Sequence, residues 1–452
     1  MPDEFDLIPS LLDQLQNGLS PLPSSKFLNQ IIQKTVPLLK PLSSFGKDKL
    51  YQVVDHEPEK AFSARAEKIL EFIQAVLEKY PLELQRDIKL DLFVALASYT
   101  RDKDPWTTPV STKLANTILQ NNNIENFVYT AILQDKLKPR FLKNSKITDH
   151  GRLHPYPRKS APEYVYAQDR DIKYPWKAHA ETITILEWTI RNLPTEEMVS
   201  QWPLIIPPVV TMLQDISVTF KIRGCEILLV VLKRVDPTIV QKSGLADLFW
   251  QSLMVCLTYL PTITPEDDSA ELLDVALAGL FQIAAIRFPD DIQSRAKLLD
   301  QVYREGIERG VAFAGEYLKI ICTLIRWLNE LVQVTGIYHV KHLKNTLQIL
   351  ADQLQHPLAH HDLSNLTSSV QCLLTICTKC WPRLDYHHAK ILKAISICFR
   401  NLSQQDSEQV SQIRQKLIEI ARLLKTVCSN DLQSDIIALV QAEPQLESLL
   451  SR

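Results

Sequence analysis

Apolar residues recur along most of this chain at three- and four-residue intervals, the spacing that lays them on one face of an α-helix. "AFSARAEKILEFIQAVLEKY" sets Ala66, Ile69, Ile73, Val76 and Tyr80 on one stripe, and Pro81 ends the run. "LELQRDIKLDLFVALASYT" follows at once. Two amphipathic helices joined by so short a corner pack antiparallel, and further pairs of this kind follow to the C-terminus. No segment carries the period-two alternation of a strand.

The clearest unit is "PPVVTMLQDISVTFKIRGCEILLVVLKRV" at 207–235. Its first helix carries Val209, Val210 and Leu213, and its second runs from Ile222 through Cys225, Leu228 and Leu232. The unit resembles a HEAT repeat, with proline early in the first helix, Asp215 near the corner, and Ile222–Arg223 where that pattern has Val–Arg. The resemblance makes Asp215 and Arg223 structural ladder residues that tie successive units. Other helical runs, such as "QCLLTICTKCWPRLDYHHAKILKAISICFRNL", do not fall on one strict period. The expected fold is all-α: an irregular HEAT/armadillo-like α-solenoid of antiparallel helix pairs.

Four regions are expected. Residues 1–57 hold amphipathic pieces broken by "SPLPSS" and "SSFGKDK", and read as loosely attached helices. Residues 58–142 and 173–452 read as two solenoid halves. Between them, 143–172 is a basic, proline-containing segment without helical period, read as an exposed loop.

Composition narrows the functions. Glycine is 10 of 452 residues, about 2% against a usual roughly 7%. So little glycine argues against hairpin-rich sheets and phosphate-cradling loops, which need positive φ or close backbone approach. The net charge of −2 gives the whole chain no electrostatic footprint for nucleic acid. "MPDEFDLIPSLL" is patterned as neither a signal nor a transit peptide. The longest aliphatic run, "ILLVVL", is far short of the ~20 residues of a spanning helix. All eight cysteines lie beyond residue 224, mostly among aliphatic neighbours, as buried reduced thiols do. Cytosol or nucleus is expected, with no membrane partner.

Candidate chemistry is sparse. "GVAFAGEY" at 310–317 has P-loop glycine spacing but Glu316 where the phosphate-binding lysine belongs. Cys377, Cys380, His387 and His388 could be counted toward a zinc site, but the cysteines continue an apolar helical stripe, which favours core packing. His356 and His360 share the i, i+4 spacing of paired ligands, yet Pro357 makes an inter-helix corner the better reading. The run 136–160 has eight Lys/Arg against Asp149 alone. It could meet a phosphate backbone or an acidic tail, or simply be a solvated loop, and the near-neutral whole favours the latter. No catalytic, cofactor or metal residue is assigned. In "PWTTP", Thr107 or Thr108 can cap a helix that Pro109 opens, while Trp106 is either a rigid corner between repeats or a partner-facing anchor.

Several strings, in order, resemble one family: "PWTTP" at 105–109, "LKPRFL", "YPWKAHAETITILEWTI" at 174–190, "WPLIIPP" at 202–208, "TGIYHVKHLKNTLQIL" at 335–350 and "WPRL" at 381–384. The family is that of the smallest subunit of the TTT (Triple T) complex, the Tel-two-interacting protein two family. Its members run almost directly from the "LKP" helix to the "W" helix, so 143–172 looks like an insertion, and 1–57 matches nothing in it. The resemblance implies a non-catalytic scaffold without cofactors. Its implied partners are the two other TTT subunits, chiefly the large HEAT-repeat one, and indirectly the heat-shock-protein-90 machinery and PI3K-related kinases. Candidates for partner contact or for structural corners are Trp106, Thr107, Thr108, Pro109, Trp176, Trp188, His342, Lys344, Trp381, Pro382 and Arg383. A HEAT/armadillo-type nuclear transport or nucleic-acid adaptor using 136–160 is the alternative.

Overall fold

The computed structural model describes residues 7–17, 24–42, 45, 56–80, 85–122, 124–141, 147–148, 150–153, 175–403, 407–428 and 431–450. Among these the regular structure is helical, apart from one isolated antiparallel bridge between Ile147 and Leu153. The chain divides into two compact units, Met1–Thr211 and Met212–Arg452.

In the first unit the helix His56–Lys79 carries the predicted stripe, with Ala66, Ile69, Ile73 and Val76 all buried. The helices Ile8–Asn17 and Pro109–Asn121 both pack on it. Of the 1–57 segment, expected as loosely attached helices, the described part lies against the first unit's helices. Ile8, Leu15, Leu28, Ile32 and Leu39 expose no surface, and the Tyr99 hydroxyl donates to the Leu39 carbonyl at 2.8 Å. Each such side chain is worth roughly 1.5–3 kcal/mol when fully buried, so five of them hold the segment firmly.

The second unit is two rows of helices. Val218–Arg234, Glu266–Arg287, Leu318–Thr335, Leu363–Lys379 and Glu408–Val427 stack one on the next. Leu245–Cys256, Ile292–Gln301, Leu343–Gln355 and His388–Asn401 lie against them as the second row. First-row helices begin 45 to 52 residues apart, a drift that explains why the chain shows no strict period. Helix 266–287 is long and apolar enough to cross a membrane by length and composition. Its neighbours 218–234, 245–256 and 318–335 cover it on several sides, which is the condition under which a helix is apolar all round.

Glycine appears where backbones must meet. A Cβ on Gly224 would stand 2.9 Å from the Met212 Cβ and 3.0 Å from the Leu213 nitrogen, so this residue sets how closely helix 218–234 approaches Leu213. The 143–172 expectation falls mostly outside the described residues; the described part, 147–148 and 150–153, includes a docked turn. Ile147 is buried, Gly151 turns with φ +68°, and the Trp202 indole N–H donates to the Gly151 carbonyl at 2.9 Å. A Cβ there would meet the Trp202 ring at 2.7 Å, so only glycine fits this docked turn.

Candidate partner-binding surfaces

The "PWTTP" corner is built inward. Trp106 is 3% exposed, its ring meets Phe45 edge-on at 6.1 Å, and its N–H donates to the Ser98 carbonyl at 2.9 Å. The Thr107 hydroxyl reaches the carbonyls of Arg101 and Asp104, at 2.8 and 2.9 Å. Thr108 caps helix 109–121 in a capping box with Ser111, and its hydroxyl also donates to Glu67. Pro109 takes the first helical position.

Facing this corner is the helix Thr182–Asn192, preceded by Glu181. Glu181, Thr182, Thr184, Glu187 and Thr189 are buried there, and buried polar side chains require partners. Thr184 donates to Asp104, Arg101 approaches Glu187 at 3.7 Å, and Arg191 pairs with Glu187 at 2.6 Å. Trp188 is buried beside Tyr129, ring centroids 5.5 Å apart. Trp176 is buried and stacks on Phe141 at 5.6 Å. A polar cleft of about 830 Å³ opens next to these helices, lined by Arg101, Asn116, Gln120 and Glu187 among others.

The basic run is partly consumed by the fold. Lys136 pairs with Asp91 at 2.7 Å, and Arg140 with Glu181 at 3.2 Å and the Thr182 hydroxyl at 2.8 Å. Lys138 and Arg152 are exposed, and the remaining four cations of the run lie outside the described residues.

In the second unit, Asp215 accepts from the Ser217 amide at 2.9 Å, and Arg223 pairs with Glu226 on its own helix at 3.0 Å. Cys377 and Cys380 are buried in the core, where burial pushes both thiols up, Cys380 to about 11. His388 is held instead by the Asp385 carbonyl at 2.5 Å and by Asp435 at 3.3 Å. The helix Leu343–Gln355 stops just before His356, whose Nδ1 accepts from the Leu358 amide at 3.2 Å, so His356 sits at a corner. Gly310 lies within the helix Arg309–Ala314, so no phosphate loop forms there.

His342 stacks on Tyr303 at 4.2 Å and bonds Asp300, which Lys341 also meets at 2.7 Å. Lys344 is exposed. Trp381, Pro382 and Arg383 open the short 3-10 helix Trp381–His387, and all three are exposed. Trp381 shows 56% of its surface, against single digits for Trp106, Trp176, Trp188, Trp202 and Trp250. Sequence reasoning missed its neighbours: Tyr386 is 78% exposed, and Ile337 and Tyr338 project from the 3-10 helix Gly336–His342. Their signal was present as aromatic residues in short segments that do not extend the apolar stripes of the flanking helices.

These features define an all-α protein of stacked antiparallel helix pairs in the HEAT/armadillo manner, with five of its seven tryptophans buried in the interior. Such proteins serve many functions, so the fold by itself assigns none. The chain belongs to the Tti2 family, whose model matches residues 92–361. Membership points to the role of a TTT complex subunit. The match takes in Trp106, Trp176, Trp188, His342 and Lys344, while Trp381, Pro382 and Arg383 lie beyond it. The crystal structure of an engineered protein is similar over 99% of this chain and 97% of its own, with 12% identity and a TM-score of 0.39.

Proposed function

We propose that this chain is a non-catalytic scaffold subunit of the TTT co-chaperone complex. It binds the large HEAT-repeat subunit, which also holds the third. In that assembly it supports heat-shock-protein-90-dependent maturation and stability of PI3K-related kinases, in cytoplasm and nucleus. The observation that carries this reading is the family match over residues 92–361. The architecture supports it, because rows of helix pairs present long faces on which a second helical array can lie. An obligate contact of that kind commonly buries more than ~2,000 Å².

The test is direct. Purified full-length chain mixed with the large TTT subunit at micromolar concentration is expected to co-elute as a stoichiometric complex on size exclusion. Elution as two separate species overturns the proposal.

A further inference from the structure

The ends of two neighbouring helix pairs in the second unit form an edge that is both basic and apolar. The segments 336–344 and 379–393 hold six Lys/Arg, namely Lys341, Lys344, Lys379, Arg383, Lys390 and Lys393, against Asp385 alone, in a chain of net charge −2. They are neighbours in space: the Cys380 thiol lies 3.8 Å from the Gly336 carbonyl, and Lys390 donates to Gln348 at 2.9 Å. Lys390 and Lys344 both bear on His387, adding to the burial that lowers its pKa. Among these cations Lys341 has a carboxylate partner in Asp300. The same edge carries exposed Trp381 and Tyr386, with the Arg383 guanidinium 5.8 Å over the Tyr386 ring, and exposed Ile337 and Tyr338.

From this juxtaposition we infer that the edge formed by 336–344 and 379–393 docks an acidic protein segment bearing an apolar anchor. The anchor seats against Trp381 and Tyr386, while its carboxylates meet Lys344, Arg383 and Lys390. Exposed tryptophan, tyrosine and arginine are the residue types that dominate binding energy at interfaces, and the surrounding cations set the sign of the partner. A nucleic acid also fits cations and aromatic rings. It is disfavoured because the chain as a whole is near neutral and the cations of this edge are interleaved with exposed apolar side chains, Ile337 among them.

This inference rests on the proposed function for the identity of the partner, and one experiment separates the two. The large TTT subunit is titrated with the full-length chain, with Trp381→Ala, and with a Lys344→Glu/Arg383→Glu double variant. All are also heated, and their melting temperatures should agree because these side chains are exposed. Expected is co-elution of the unaltered chain, with each variant binding at least tenfold more weakly. Salt should weaken the unaltered chain more than the charge-reversed one. If the unaltered chain fails to bind, the proposed function falls and takes this partner with it. If it binds and both variants bind equally well, the edge is wrong and the function stands. Binding of a 25-nucleotide oligo-dT that is lost in the same variants would overturn the inference in favour of nucleic acid.

Discussion

The indole N–H of Trp106 donates to the carbonyl of Ser98 at 2.9 Å, across the corner that links helix Arg86–Ala97 to helix 109–121. This bond closes the corner back on the end of the helix before it. Thr107 closes it again through the Arg101 and Asp104 carbonyls. Trp106 is therefore an interior strut of the first unit, and a partner could reach it only by opening the corner.

Replacing it should cost stability. Trp106→Ala removes a buried ring and is expected to destabilise the first unit by ~3–5 kcal/mol. Trp106→Phe keeps most of the packing against Phe45 but strands the buried Ser98 carbonyl, at a cost of about 1–3 kcal/mol. Thermal unfolding of the isolated chain checks both. Unchanged melting with lost binding to the large subunit would make Trp106 a hook after all.

A milder effect is expected two residues on. Thr108→Ala deletes the side chain that accepts from the Ser111 amide at 3.1 Å and should cost about 1 kcal/mol, whereas Thr108→Ser should retain the cap. Hydrogen exchange in the first turn of helix 109–121 reports this directly. Faster exchange in the alanine variant but not in the serine variant is the expected result.

How much of this was legible depended on range. The stripe Ala66–Ile69–Ile73–Val76, the cap at Thr108 and proline at the first helical position are local, set by side-chain spacing along one segment. The docking of Ile8 and Leu15, and the Gly151–Trp202 turn, are contacts between distant segments. The interruptions around them hid them, because composition between helices says nothing about what a helix lands on. The candidate surface was half legible. "WPRL" marked Trp381 and Arg383, but a tryptophan in a corner reads alike whether it points in, as Trp106 does, or out, as Trp381 does. Only the packing around each distinguishes them.

The close approach at Gly224 yields a prediction of the opposite kind, from adding atoms. Gly224→Ala places a methyl within 3.0 Å of both the Met212 side chain and the Leu213 backbone, and the backbone atom cannot step aside. Although alanine favours a helix interior by about 1 kcal/mol over glycine, overpacking of ~1–3 kcal/mol should outweigh it, leaving a net loss. Chemical denaturation of the variant measures the sign. A net gain would show that helix 218–234 has room to shift.

The last prediction concerns acid. His339 is buried with its Nε2 2.8 Å from the Thr346 hydroxyl, which in turn lies 3.1 Å from the Tyr303 hydroxyl. Burial pushes its pKa down to about 3, with His342 and Lys341 adding to the effect and Asp300 opposing it. In the unfolded chain the same imidazole has its ordinary value near 6.5, so between about pH 6.5 and 3 the unfolded chain takes up a proton that the folded chain refuses. Stability from this residue is therefore complete above pH 6.5 and is lost as the pH falls, by about 2 kcal/mol between pH 7 and 5. Asp300 does not blur this window. Burial raises its carboxyl, but Lys341 and His342 together hold it below the ordinary 3.8, so its own loss comes at lower pH. Denaturant midpoints at pH 7 and pH 5 for the unaltered chain and for His339→Gln measure the difference. The glutamine variant is expected to be less stable at pH 7 but to lose about 2 kcal/mol less on acidification. Equal losses in the two proteins would mean that His339 is not the group that titrates.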